Sequence, residues 1–342
     1  MSKEYAIGVS DRAKAILEKY LAIDCRDPTF LMYSFTKDGK GPYWENIAKS
    51  GLNAICVDPN WVTAGLRDTA ADFADWYKRI REHDCILVEK VEDIDRAKAE
   101  DKVGFIFASQ SPEAVEGNAG FVEVLYKMGM RIMQLAYQRR NMLGEGVGEP
   151  TNTGLSLLGK EVVQEMNRVG MLIDTAHATE QTMIDILETS TQPTVNSHSC
   201  CLSLKKHRRN VSDELIQLQC SKGGVYCLSA YGDFLIDNGG QIGATLDDWA
   251  RHMEYLLKLV GPDHVGIGFD VGEGRNAAEV QILHNGAPGT GKGPKYRYVK
   301  ELVCRAQYPL VVEKLIEMGL SDADIGKVIG GNLRKLFAEV WK

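Results

Sequence analysis

The stretch GMLIDTAHATEQTMIDILETSTQPTVNSHS, residues 170–199, holds two short apolar runs, GMLIDTAH and PTVNSH, each ending in a histidine. A segment with helix-like spacing separates them. Strand, helix and strand in this order make a parallel unit, because two parallel strands need a crossover between them. Imidazole is not an ordinary packing residue, so its repetition at the ends of two successive buried strands asks for a chemical reason.

Working outward, the same signal recurs along the chain. Apolar runs bounded by turn residues predict eight strands: LAIDC (21–25), NAICVD (53–58), GFIFAS (104–109), RIMQLAY (131–137), GMLIDTAH (170–177), PTVNSH (193–198), GGVYCLSA (223–230) and HVGIGFD (264–270). Helical patterns lie between them. DTAADFADWYKRIREH (68–83) repeats apolar residues at three and four, and LLGKEVVQEMNRVG (157–170) does the same and ends on a glycine suited to a C-cap. A third helix opens with a Thr-x-x-Asp capping pattern at Thr245 and stops at Gly261-Pro262. Eight strands alternating with helices predict an α/β fold, a (β/α)8 TIM barrel, with a doubly wound open sheet as the alternative. No linker or repeat divides the chain, which is read as one barrel domain over 1–342, with 1–20 as an N-terminal helical extension and 271–300 as a long active-site loop. Within that loop GAPGTGKG lacks the Ser or Thr after Lys292 that a phosphate-binding loop requires.

Bulk properties narrow the function. The 342 residues, 44% hydrophobic and 25% charged, read as a globular protein with an ample core. A net charge of -7, with no basic stripe beyond KKHRR at 205–209, argues against a nucleic-acid partner. The charged first twenty residues lack the apolar core of a signal peptide, and no segment approaches a membrane span. Eight cysteines without a CxxC pair fit reduced, buried thiols, so a cytoplasmic location is expected.

In a barrel of this kind strand C-termini open into the mouth that carries the chemistry. Asp27, Tyr137, His177, His198 and Asp270 fall at or near five of those ends. Two neutral imidazoles suit zinc, and a neighbouring carboxylate suits the proton of a metal-activated water. His83, His207, His252 and His264 have no comparable placement, while His284 lies in the loop after strand eight. Cys200 and Cys201 read as buried thiols rather than nucleophiles, and Glu145 and Glu149 as turn residues. Arg139, Arg140 and Asn141 line the rim, where surface solvation and substrate contact are both open for Arg140.

The blocks GLSLLGKEVVQEMNRVGMLIDTAHAT, NSHSC, HRRNVSDELIQL, HVGIGFD and IGGNLRKLF, in this order, resemble the renal (membrane) dipeptidase family of the amidohydrolase superfamily. The resemblance implies a metal-dependent barrel, usually with two zinc ions, that hydrolyses dipeptides bearing a free carboxylate. It assigns His177 and His198 to one metal, Asp270 to the proton of the attacking water, and Arg209 to the substrate carboxylate, which a guanidinium fork binds bidentately. Three positions depart. Where the family carries His-x-Asp on the first strand, this chain has IDCRDP: with one deletion Cys25 and Asp27 take the ligand positions, and without it Arg26 replaces the histidine. Gln110 aligns with the bridging glutamate, and a neutral amide does little to offset two dications. Tyr137 aligns with the histidine that polarises the scissile carbonyl, a role its hydroxyl can retain.

These departures predict one zinc or similar divalent ion at His177 and His198, with Gln110, Asp27 and Cys25 as weakened ligands of a second. Arg26, if turned inward, excludes a cation and offers a site for a second anionic group. The expected function is hydrolysis of an amide bond in a small amino-acid or dipeptide-like substrate. The alternatives are a degenerate barrel that binds a ligand without hydrolysing it, and a single-metal decarboxylase or lyase. A homodimer is expected from family habit.

Overall fold

The structure, a computed structural model, describes residues 5, 7–29, 43–273 and 296–342. The 286–293 motif and His284 lie outside the described residues. Eight strands run parallel in one sheet: β1 (Ile23–Asp27), β2 (Ala54–Val57), β4 (Gly104–Ser109), β5 (Met130–Gln134), β6 (Leu172–Asp174), β7 (Val195–Ser199), β8 (Val225–Leu228) and β9 (Val265–Ile267), while the two-residue β3 (Ile86–Leu87) pairs with β4 alone. Each predicted run supplies one of the eight. Just past β9 the sheet returns toward its start, where the Asp270 N–H donates to the Arg26 carbonyl at 3.1 Å and the Phe269 N–H to the Asp24 carboxylate at 2.9 Å. The fold is the nearly closed (β/α)8 barrel, not the open sheet.

Helix ends follow the sequence signals. In the helix Leu157–Val169 the Ser156 hydroxyl caps the Gly159 N–H, and Gly170 ends it in the left-handed region at φ 88°. Thr245 and Asp248 form the capping box of the helix Leu246–Val260. The first long helix begins at Leu66 rather than 68, because the distant Glu116 carboxylate accepts its leading N–H at 2.8 Å. The helix Asp11–Lys19 lies in the predicted N-terminal extension.

Alternation along each strand stratifies the barrel interior. Ile23, Ala54, Ile106, Ile132, Leu172, Val195 and Val225 pack with Leu333, Phe337 and Trp341 of the C-terminal segment into an apolar floor. Two residues further along, the same faces of β5, β6 and β7 present Gln134, Asp174 and Ser197, all fully or almost fully buried. The register shifts between Asp24 and Asp27 on β1, between Phe107 and Ala108 on β4, and between Asn196 and Ser199 on β7. Such bulges re-aim side chains beside functional sites, and here they precede or contain Arg26, Gln110 and His198.

One glycine is essential to this closure. A Cβ on Gly268 would lie 1.8 Å from the Ser197 carbonyl oxygen, so β9 approaches β7 only as a bare backbone. Gly268→Ala is expected to cost at least about 3 kcal/mol of stability in a denaturant titration. Gly8→Ala, with nothing within 4 Å of its added Cβ, should stay within about 0.5 kcal/mol of the unsubstituted protein.

Candidate active site

A buried ion network lies directly above the apolar floor. The Arg26 guanidinium, with no exposure to solvent, donates from Nη1 to Asp58 Oδ1 at 2.5 Å and from Nη2 to Asp174 Oδ2 at 2.9 Å. Burial opposes its charge, but the two carboxylates more than offset that and hold it protonated. The Gln110 amide donates to the other Asp58 oxygen at 2.7 Å, and Gln134 donates to Asp174 at 2.8 Å.

The network reaches the histidines through Ser197. Its hydroxyl hydrogen goes to Asp174 Oδ2 at 2.5 Å, and its oxygen lies 3.2 Å from Arg26 Nη2 and 2.6 Å from His198 Nδ1. With the hydroxyl hydrogen committed to the carboxylate, the oxygen must accept from His198, so Nδ1 carries the proton and the Nε2 lone pair is free to face the mouth. Burial, followed by the Arg209 and Arg26 charges, holds the His198 pKa well below its usual value and keeps the ring neutral. His198 Nε2 lies 2.9 Å from His177 Nε2.

Tyr137 packs against His177, the rings tilted by 34° with centroids 4.3 Å apart, and burial raises its phenol pKa, keeping the hydroxyl a donor. Arg209 donates to the His198 carbonyl at 2.8 Å and to Ser199 Oγ at 3.2 Å. The Asp270 carboxyl, pushed up to about 6 chiefly by burial, faces the charges of Arg209, Arg26 and Arg297, which pull it down. His177 and Asp270 both adopt left-handed backbone, at φ 66° and 55°. For non-glycine residues this conformation is costly and clusters at functional sites.

Two of the proposed ligands go elsewhere. The β1 bulge turns Cys25 down into the apolar floor, where it is hydrogen-bonded with Cys56 and Cys227. It turns Asp27 to the helix side of the sheet, where Tyr43 donates to it at 2.6 Å and Arg305 pairs with it at 3.0 Å. Arg140 folds back onto its own loop, donating to Glu145 and, at 3.0 Å, to Thr151. His252 and His264 bond the Leu235 and Gly224 carbonyls, and His83 stacks on Trp44, so all three have structural partners. Burial pushes the Cys201 thiol up to about 12 and Cys200 well above its ordinary value, as suits inert thiols.

The sequence reading missed Asp58, Asp174, Ser197 and Arg297. The first three are polar residues at the ends of apolar runs, a signal as strong as the one that singled out the histidines.

Comparison with known proteins gives the site a lineage. The family described as membrane dipeptidase (peptidase family M19) matches residues 54–281. The chain belongs to this family. It is 28% identical over 241 residues to the dipeptidase aclJ of Aspergillus oryzae, which covers 70% of this chain and 52% of that protein. The chain thus spans about half the length of such curated relatives. A crystal structure of an amidohydrolase from Pseudomonas aeruginosa is 28% identical, with a TM-score of 0.85 over 96% of this chain and 99% of that one. A metallopeptidase from Rhodobacter sphaeroides, solved with a phosphinate mimic of the dipeptide L-Ala-D-Ala, shares the fold at 17% identity and a TM-score of 0.77, covering 94% and 99% of the two chains.

A two-metal centre does not fit these residues. Arg26 places a fixed positive charge at the first-strand position, flanked by the carboxylates that would otherwise attract an ion. A single ion fits better. Zinc–nitrogen bonds of about 2.0–2.1 Å at a tetrahedral angle need nitrogens roughly 3.3 Å apart, and the two Nε2 atoms lie 2.9 Å apart. Among the described residues no third His, Cys, Asp or Glu joins the pair as a metal-holding cluster. The remaining coordination positions would fall to water and substrate.

Replacing Arg26 by methionine leaves Asp58 and Asp174 buried without their cation. Arg26→Met is expected to lower stability by about 3–5 kcal/mol, measured by denaturant unfolding at neutral pH.

Proposed function

We propose that this family member is a hydrolase of an amide bond in a small, dipeptide-like substrate with a free carboxylate, working with one divalent metal ion, zinc by preference, held by His177 and His198. The observation that carries this reading is the meeting of the two imidazole Nε2 atoms at 2.9 Å, each ring placed by strained or bulged backbone at the mouth of the barrel. When bound, such an ion lowers the pKa of a coordinated water and polarises a carbonyl.

The chain's own residues supply the rest. Arg209 receives the substrate carboxylate, orienting the scissile bond. Asp270 takes the proton of the attacking water as the water oxygen bonds to the carbonyl carbon, and returns it to the amine nitrogen as the carbon–nitrogen bond breaks. Tyr137 donates to the oxygen on which negative charge develops. Arg26 acts through Ser197 to hold the His198 tautomer, and so is a positioning residue.

A second reading is favoured by the small donor set: a barrel that binds a small acid without hydrolysing it. Elemental analysis of protein purified without added metal separates the two. A content close to one ion per chain, lost together with turnover in His198→Ala, supports the hydrolase. A content near zero with no turnover supports the binding barrel, and two ions per chain would overturn the role given to Arg26. Because Asp270 must be ionised to accept a proton and titrates at about 6, kcat/KM is expected to fall about tenfold per pH unit below that value. Asp270→Asn should be nearly inactive and lose this acid limb; an unchanged pH profile in that variant would show that another group titrates.

A further inference from the structure

Four buried or half-buried guanidinium groups of this barrel fall into two kinds. Arg26 and Arg305 are each ion-paired with two aspartates, Asp58 with Asp174 and Asp24 with Asp27. Arg209 and Arg297 are different: among the described residues neither forms an ion pair, although Arg209 is only 4% exposed and Arg297 is half-buried. Arg209 is held by a carbonyl and a hydroxyl. Arg297 lies against the rings of Tyr231 and Tyr298, at 5.5 and 6.0 Å from their centroids.

These two arginines are built into one assembly. The Arg209 guanidinium lies 5.3 Å from the Phe234 ring, Phe234 stacks on Tyr231 at 4.4 Å, and Tyr231 carries Arg297. Aromatic faces favour guanidinium groups and fix their planes without neutralising them. The backbone is also fixed. The Gly232 N–H donates to the Arg297 carbonyl at 2.8 Å, the Val299 N–H to the Ala230 carbonyl at 2.9 Å, and Tyr231 and Tyr298 form an antiparallel bridge. Both charges bear on Asp270 and Tyr137. Asp270 thus lies in the field of both, together with Arg26. Burial opposes the Arg209 charge, a cost that an anionic ligand relieves when it binds, while Arg297 keeps its charge through Tyr298 and Tyr231 and adds to the attraction.

We propose that the site takes a substrate with two acidic groups: a dipeptide-like compound whose free carboxylate docks on Arg209 and whose second acidic group docks on Arg297. This rests on the hydrolase reading for its reaction but not for its binding. Arg297 is thus a specificity-determining residue, and the aromatic pair between the two guanidinium groups sets the spacing of the anions.

The test compares kcat/KM for Ala-Glu with Ala-Gln and for Glu-Ala with Gln-Ala, in wild type and Arg297→Gln. One acidic member should be preferred over its amide partner by roughly tenfold to a hundredfold, the worth of a charge-assisted contact, and the ratio should fall close to one in Arg297→Gln. Equal values for acid and amide in both wild-type pairs would overturn the proposal whatever the variant does. If no dipeptide is cleaved, the hydrolase reading fails separately, and calorimetric binding of Ala-Glu and Glu-Ala decides. Binding of either that weakens about tenfold or more in Arg297→Gln supports the diacid site, and absent or unaltered binding of both refutes it.

Discussion

A single guanidinium buried between two carboxylates organises this barrel. Arg26 has no contact with solvent, and a charge so placed is tolerated only with partners that satisfy it completely. Its partners come from different strands: Asp58 follows β2, Asp174 ends β6, and Ser197 lies on β7. Gln110 after β4 and Gln134 on β5 bond the same carboxylates. One cation from β1 thereby ties together the upper ends of six strands. A carboxylate that missed its place would be buried without compensation, so the arrangement is strongly determined.

The histidine layer inherits its order from that network. Asp174 takes the Ser197 hydrogen, Ser197 accepts from His198, and the far nitrogen of His198 meets His177 Nε2 at 2.9 Å. No part of this chain of bonds touches the mouth except its last atom. The barrel is accordingly stratified, with an apolar floor, an ion-paired middle and a rim that carries the histidines. The rim has cationic character because Arg209 and Arg297 stand on aromatic faces rather than on carboxylates. Within a metal-dependent peptidase family, this chain has a protein-borne cation where the family resemblance implies metal ligands. A guanidinium cannot activate water as a metal does, but its charge is fixed and, with Arg209 and burial, it holds His198 neutral.

Much of the architecture was legible because it depends on local chemistry. Runs such as GMLIDTAH and HVGIGFD can bury both faces only as interior strands, and Ser156, Gly170 and the Thr245–Asp248 pair mark helix ends through hydrogen bonds made within a few residues. The two-residue β3 was too short to leave a pattern. The histidines stood out because their chemistry conflicts with their apolar surroundings.

The sequence by itself determined the eight barrel strands, the ends of three long helices to within a few residues, and the two histidines and Asp270 as the residues of interest. It left open which of Cys25, Arg26 and Asp27 turns inward, and only the tertiary structure decided that. A side chain's face on a strand follows from register, and one bulge on β1 sends Cys25 to the floor, Arg26 to the ionic layer and Asp27 to the helices. Arg26 and Asp174 are 148 residues apart in the chain, and only closure of the barrel brings them within hydrogen-bonding reach.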